Sequence, residues 1–342
     1  MNVIITNAKV TQIFEKIVSL QANSSKQMKK TILASLFIIL SAVKARAQES
    51  ETTYNFLRLP VSAHIAALGG DNITIDDDDP TVIFHNPALI SNITNMSINL
   101  NFMTYMEGAK TASASFIKAY KDRGTWGVAA QYLDYGDIRS FTDNNVETGT
   151  VSAKDIMLMG TFTYNLTDRL SGGISAKFIT SSLAGYNSMA VAVDLGINYY
   201  DPEMGWSLSL VARNLGGQIK AYEDDFEKIP TDVLLGVSRT LGHSPFRFSA
   251  TMGKLNDWDG KFINHFSLGV DIMLSSYIYL AGGYNFRRAD EMAISDTEDD
   301  SNHGAGLSLG AGLQLKKFKL NVSWAKYHVS TSSLNFNVTY SL

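Results

Sequence analysis

The carboxyl-terminal stretch of this chain constrains its fold most. Leu334, Phe336, Val338, Tyr340 and Leu342 take every second position, with Asn335, Asn337, Thr339 and Ser341 between them. A period of two puts the apolar set on one face of a β-strand and the polar set on the other. The same alternation recurs from about residue 96 onward, as in Met189, Val191, Val193, Leu195, Ile197 and Tyr199 against Ser188, Asp194 and Asn198. Many half-apolar strands with no comparable supply of helix predict an all-β transmembrane protein, whose apolar face is covered by lipid.

The start of the chain predicts export. Met28-Lys29-Lys30 is a short basic region, Thr31 to Val43 is apolar but too short to span a bilayer, and Ala45-Arg46-Ala47 has the small-x-small form of a cleavage site. The mature chain is therefore expected to begin at Gln48, with 1–47 an extended leader and signal peptide. No Cys occurs anywhere, which removes lipoprotein anchoring, disulfides and thiolate metal sites. A formal net charge of −4 gives no basic excess for nucleic acid. Beyond the leader no apolar run reaches the roughly 18 residues of a membrane-spanning helix.

Three parts follow. Residues 1–47 are the leader, 48–94 an irregular N-terminal plug segment and 95–342 a transmembrane barrel. The barrel part divides into fourteen segments of strand length, giving a 14-stranded antiparallel outer-membrane β-barrel. Connections from even to odd strands are tight, such as Lys121 to Gly124, Asp201 to Gly205 and Gly242 to Pro245. Those from odd to even include long ones: Asp134 to Ser152, Asn214 to Pro230, Leu255 to Asn264 and Arg287 to His303. Short periplasmic turns and long outer loops are the expected asymmetry, and the even strand count places both termini in the periplasm.

No catalytic, cofactor-binding or metal-binding set emerges. Gly306-Leu307-Ser308-Leu309-Gly310 matches the nucleophile-elbow pattern, but that motif needs a strand, a strained turn and a helix, and here alternation runs through it. The six His residues lack ligand spacing. Asp76 to Asp79 lacks the spacing of a calcium loop and reads as a solvated turn. Tyr222, Phe226, Ile229 and Trp258 punctuate the predicted outer loops. They are candidate contacts for a surface partner, or rings packed on the barrel rim.

Asp76–Pro80 followed by His85-Asn86-Pro87-Ala88-Leu89 resembles the N-terminal signature of FadL-like outer-membrane barrels. In that superfamily the Asn86-Pro87-Ala88 counterpart is a turn of a plug inside a fourteen-stranded barrel. Tyr54 to Pro60, Ala67-Leu68-Gly69-Gly70, Gln131 to Gly136, Arg213 to Lys220 and His243 to Arg247 are similar to the PorV/PorQ family of the type IX secretion system of Bacteroidetes. The terminal Leu342 departs from the aromatic residue that ends many such barrels. The resemblance implies a non-enzymatic scaffold embedded in outer-membrane lipid. It would hold a PorZ-like surface protein, with PorV/PorU-like components nearby, while cargo is attached to anionic lipopolysaccharide. The alternative is a FadL-like transporter of hydrophobic small molecules.

Overall fold

The computed structural model describes residues 52–342 apart from 142–146, 259, 293, 297–298, 302–303 and 329–330. The leader, its cleavage site and Gln48 lie outside the described residues. Alternation produces strands β1 (Ser97–Thr104), β2 (Lys110–Tyr120), β3 (Gly124–Phe141), β4 (Glu147–Asn165), β5 (Leu170–Leu183), β6 (Tyr186–Asp201), β7 (Trp206–Lys220), β8 (Asp232–Thr240), β9 (Phe246–Met252), β10 (Phe266–Met273) and β11 (Ile278–Asn285). After two short strands, β12 (Ile294–Asp296) and β13 (Asp299–Ser301), come β14 (Leu307–Gln314), β15 (Phe318–Ala325) and β16 (Ser333–Ser341). All but β12 and β13 pair antiparallel with sequence neighbours, and β16 pairs with β1, so fourteen strands close a barrel. Closure leaves the sheet no unpaired edge, as a wall in lipid requires. No helix among the described residues is long and apolar enough to cross a membrane.

Register fixes which face is wet. On β6, Val191, Leu195 and Ile197 are exposed on the outside, while Ser188, Asp194 and Asn198 are buried in the lumen. The same outward band holds Leu100, Leu158, Leu208, Leu268, Leu309 and Val338. Such a continuous apolar surface suits a bilayer and would drive a water-soluble protein to associate. Near the tight turns it is edged by rings, among them Phe116 on Trp126, Phe318 on Tyr340, and Trp206 beneath the Arg239 guanidinium. Aromatic and cationic side chains favour that depth of a membrane. Val193→Arg, at the middle of the band, is expected to cost about 2–4 kcal/mol of folding stability in lipid. A cost near zero in a denaturant titration in vesicles would place β6 in another register.

The wall is uneven in height. β3 and β4 have 18 and 19 residues, whereas β9 and β10 have 7 and 8. The predicted loop Asp134 to Ser152 is mostly strand: pairing resumes beyond a bulge, from Asp137 opposite Ser152 to Phe141 opposite Glu147. Gly136 takes a φ of +74° at that bulge, where an L side chain would be strained. The predicted loop Arg287 to His303 likewise holds the end of a helix, Phe286–Glu291, and the β12–β13 hairpin.

The core lies inside the barrel. Residues 54–93 run through the lumen as short helical turns, including Ala63–Ala67, Pro80–Phe84 and Pro87–Asn92. Ile65, Val82, Ile83, Leu89 and Ile90 pack with Met157, Met159, Ile179 and Ala192 of β4 to β6. Glycines let the plug backbone lie against the wall. A Cβ on Gly173 would stand 2.5 Å from the Pro87 carbonyl. Thr52 forms a parallel bridge with Lys228 at the loop end, whereas Leu342 bonds Met96 at the turn end. Strand parity thus sets Met96 and Leu342 together, but the segment before β1 doubles back through the lumen to the other end.

Candidate functional site

Two features stand out: the contact between plug and wall, and a cavity above it. The Asp76 to Asp79 run is no solvated turn. Asp76 accepts two bonds from Asn92 Nδ2, at 2.7 and 2.8 Å. Asp77 receives both terminal nitrogens of Arg247, at 2.7 and 2.8 Å. Asp78 accepts from Thr94 and pairs with Lys319 of β15. Asp79 caps the Pro80–Phe84 turn through Thr81 N. Arg247 Nε also donates to Asp271 of β10 at 2.8 Å, and His64 Nε2 lies 2.7 Å from the other Asp271 oxygen. Two carboxylates, a guanidinium and an imidazole thus tie the plug to β9 and β10. The bidentate fork of Arg suits this geometry. Burial opposes ionisation of Asp77, but Arg247 and His64 outweigh it and hold the carboxyl well below its usual range.

The two plug histidines titrate in opposite directions. Burial disfavours charge on His64, yet Asp271 and Asp77 prevail and raise its pKa above 6.5. Burial, with Arg213 and Lys177 nearby, pushes His85 well below 6.5. His85 Nε2 accepts from Ser62 N at 3.4 Å, as a neutral ring can. A group with a raised pKa in the folded plug stabilises it fully below the unfolded value of about 6.5, and that contribution is lost as pH rises through the raised value. A buried neutral His does the reverse: once pH falls below about 6.5 the released plug gains a proton that the seated plug refuses. Plug stability is therefore expected to peak near pH 6.5, read as hydrogen exchange of amides 60–90. His64→Gln should flatten the alkaline limb and His85→Gln the acid limb. A plug opening that changes monotonically with pH, or limbs unchanged by both variants, would refute this.

Asn86-Pro87-Ala88 begins the Pro87–Asn92 helical turn. Asn86 is the cap, its Oδ1 accepting from Ala88 N at 2.9 Å while its Nδ2 donates to Ile73 O and Ser209. Pro87 occupies the first helical position, where no amide hydrogen is needed. Thr163 donates to the Pro87 carbonyl and Ser171 to that of Ala88. The trio therefore fastens the plug to β4, β5 and β7 as well as turning the chain.

The cavity opens at the loop end with a volume of about 870 Å³. Tyr54, Tyr135, Tyr186 and Tyr222 supply aromatic wall, Leu183 and Ile138 aliphatic wall. The hydroxyls of three are tied back: Tyr135 donates to Asp155 at 2.8 Å, Tyr222 to Ser181, and Tyr54 meets Ser188. Rings thus face the space while their polar ends are satisfied. Glu223, Asp224, Asp225 and Glu227 add carboxylates on one side of the cavity.

Of the four loop residues singled out in the sequence, two turn inward. Tyr222 is half-buried with its ring 6.4 Å from Tyr54. Ile229 is 5% exposed and belongs to the plug core, which corrects its reading as a surface contact. Phe226 is 66% exposed. Trp258 stacks on Phe262, which meets Phe266 at the start of β10. That ladder prolongs the outer face of the low wall, an arrangement suited to an interfacial aromatic belt. Ser308, in the elbow-like pattern, points into the lumen and accepts from Arg288 at 2.6 Å. His64 and Asp271 carried no sequence signal beyond being polar positions in the plug or lumen register, and Arg247 stood out only as the end of the His243 to Arg247 stretch of the resemblance.

No family model and no curated protein matches this sequence. Solved structures do. The Pseudomonas putida toluene transporter TodX superposes with a TM-score of 0.54 at 14% identity, covering 86% of this chain and 99% of that one. CymD, a monoaromatic hydrocarbon channel, gives 0.54 at 13% identity over 83% and 98%. A TodX variant, deltaS2S3, gives 0.53 at 14% identity over 82% and 98%. At such identities the likeness establishes the fold alone, a closed fourteen-stranded antiparallel barrel.

Proposed function

We propose that the protein is an outer-membrane channel that admits small hydrophobic molecules from the loop end, with residues 48–94 as its gate. The observation that carries this reading is the ring-walled cavity standing directly over a plugged lumen. Aromatic and aliphatic walls bind apolar bodies through burial of about 25 cal/mol per Å². TodX and CymD, which share the fold, are a toluene transporter and a monoaromatic hydrocarbon channel. In this reading the loop end faces outward, the turns face the periplasm, and the leader is removed after Ala47. Toluene uptake should fall in a strain lacking the protein and return with the wild-type chain. Ala153→Phe, which places a ring in the cavity, should fail to restore it. Uptake indifferent to the deletion would end this reading.

Surface attachment is the second reading. It rests on the ordered resemblance to the PorV/PorQ family and on Phe226, exposed beside four carboxylates. Such a rim could hold a PorZ-like partner, with PorV/PorU-like components, in a type IX system. Replacing 223–227 by a Gly-Ser linker spares Gln218, which bonds Tyr54 and Ser188. On this reading that swap releases the partner from the outer-membrane fraction while barrel abundance holds; full retention would exclude the loop.

A further inference from the structure

The inner wall is not uniform. Towards β4, β5 and β6 its buried polar side chains are largely paired, Lys177 with Asp194, Thr161 with Ser175 and Asn198 with Ser207 and Ser209, and Met157, Met159, Ile179 and Ala192 pack on the plug. Across β15, β16, β1, β2 and β3 it is lined by amides and hydroxyls. Asn321, Asn337, Asn101, Ser113 and Gln131 form one cross-strand row in register. Above it, Ser323 opposes Asn335 and Met103 opposes Thr111. These side chains are all at least nine-tenths buried.

Many of their polar atoms have no protein partner. Asn101 Nδ2, Ser113 Oγ and Gln131 Nε2 are orphaned within one row. So are Thr111 Oγ1, Ser323 Oγ and Asn335 Oδ1 in the row above, Ser333 Oγ beyond it and Asn99 Oδ1 below. From the level of Ser333 to that of Thr339, which Asn99 faces, the orphaned atoms span six residue steps, or roughly 20 Å of wall. Buried polar groups are nearly always paired, because a dry unpaired donor or acceptor is costly. Eight on five adjacent strands mark a surface that gains when it is wetted.

The plug touches this wall through Pro60 to Ala63 and the Pro80–Phe84 turn: Asn335 donates to the Pro60 and Val61 carbonyls, Ala63 N donates to Asn337, Ser115 donates to the Pro80 carbonyl, and Ile83 lies over Gly127 of β3. At the foot, Lys319 pairs with Asp78. Separation here would hydrate orphaned groups. Separation on the far side would expose Leu89 and Ile90 and break the bonds of Thr163 and Ser171 to the plug carbonyls.

We propose that the plug lifts from β15, β16, β1, β2 and β3, opening a hydrated passage for small uncharged polar solutes such as sugars and polyols. The rows hold amides and hydroxyls, which offer hydrogen bonds without charge, and Lys319 with Asp78 closes the lower end. The passage does not rest on uptake of hydrophobic molecules through the cavity.

The test uses full-length purified protein in liposomes, with swelling in isotonic L-arabinose as readout. A heat-modifiability gel confirms that each variant is a closed barrel. Wild type should swell above protein-free liposomes. Thr111→Val, Ser113→Ala and Ser333→Ala together remove three orphaned hydroxyls with little change of shape. They should slow swelling several-fold by favouring the seated plug. Lys319→Met opens the foot and should quicken it. Wild-type liposomes that do not swell, or a triple variant that swells like wild type, would overturn the proposal. So would a Lys319→Met barrel that swells no faster than wild type.

Discussion

Arg247→Ala is expected to unseat the plug. The guanidinium is 7% exposed and satisfies both Asp77 and Asp271. Its loss leaves two buried carboxylates facing each other across His64, which can neutralise only part of that charge. Removing one partner of a buried ion pair costs about 3–5 kcal/mol, because the remaining charge is neither paired nor hydrated. The wall should survive, since the backbone pairing of β9 with β10, Arg247 opposite Asp271 included, does not depend on the guanidinium. The expected result is a barrel that keeps its heat-modifiable mobility but exposes the plug to added protease and raises single-channel conductance. Arg247→Lys should rescue little, since one ammonium cannot make the two-pronged contact with Asp77 and also reach Asp271. Protease resistance and conductance like wild type in Arg247→Ala would show that the ionic latch does not hold the plug.

Gly173→Val attacks the same contact from the wall. The Pro87 carbonyl and Ala88 nitrogen stand where a Cβ would go, at 2.5 and 2.7 Å, and all of them are backbone atoms that cannot rotate away. Valine suits a strand, so β5 itself should form normally. Overpacking of a closed core costs about 1–3 kcal/mol, and here the plug must retreat from β4 and β5 to relieve it. The Asn86 cap and the bonds from Thr163 and Ser171 would be strained together. Loss of protection at amides 86–92 with an intact wall is the expected exchange pattern. Full protection there would mean that the wall bends instead.

The sequence carried the wall more legibly than the lumen, for a physical reason. Lipid makes one strict demand, an apolar residue at each outward position, and that demand writes a period of two into every strand. Val191, Leu195 and Val338 could be assigned a face from it. Above the bilayer the demand lapses. Beyond Tyr135 the backbone pairing of β3 and β4 continues past the bulge at Gly136, but few residues are apolar, alternation fades, and the strands read as loop. Inside the barrel a position can be recognised as inward without revealing what it meets. Asp77 looked like one of four solvated acids because Arg247 and Asp271 lie in distant strands. Ile229 looked like an exposed loop residue because nothing nearby shows that the loop dips into the plug core. The Asn86-Pro87-Ala88 cluster was visible, because Pro and a capping Asn announce local geometry.

The way the barrel closes also sets a timetable. Asp77 meets Arg247 across 170 positions and Ser97 meets Ser341 across 244. Contacts of such separation form slowly, since large loops must be closed before any reward arrives. The segment made first cannot be fastened until β9 and β10 exist, and its foot waits for Lys319 on β15. A nascent chain must therefore wait with an open sheet and an unanchored leading segment until β16 arrives. Errors in the last nine strand residues should consequently appear as aggregation or proteolysis during biogenesis rather than as a weakened mature barrel.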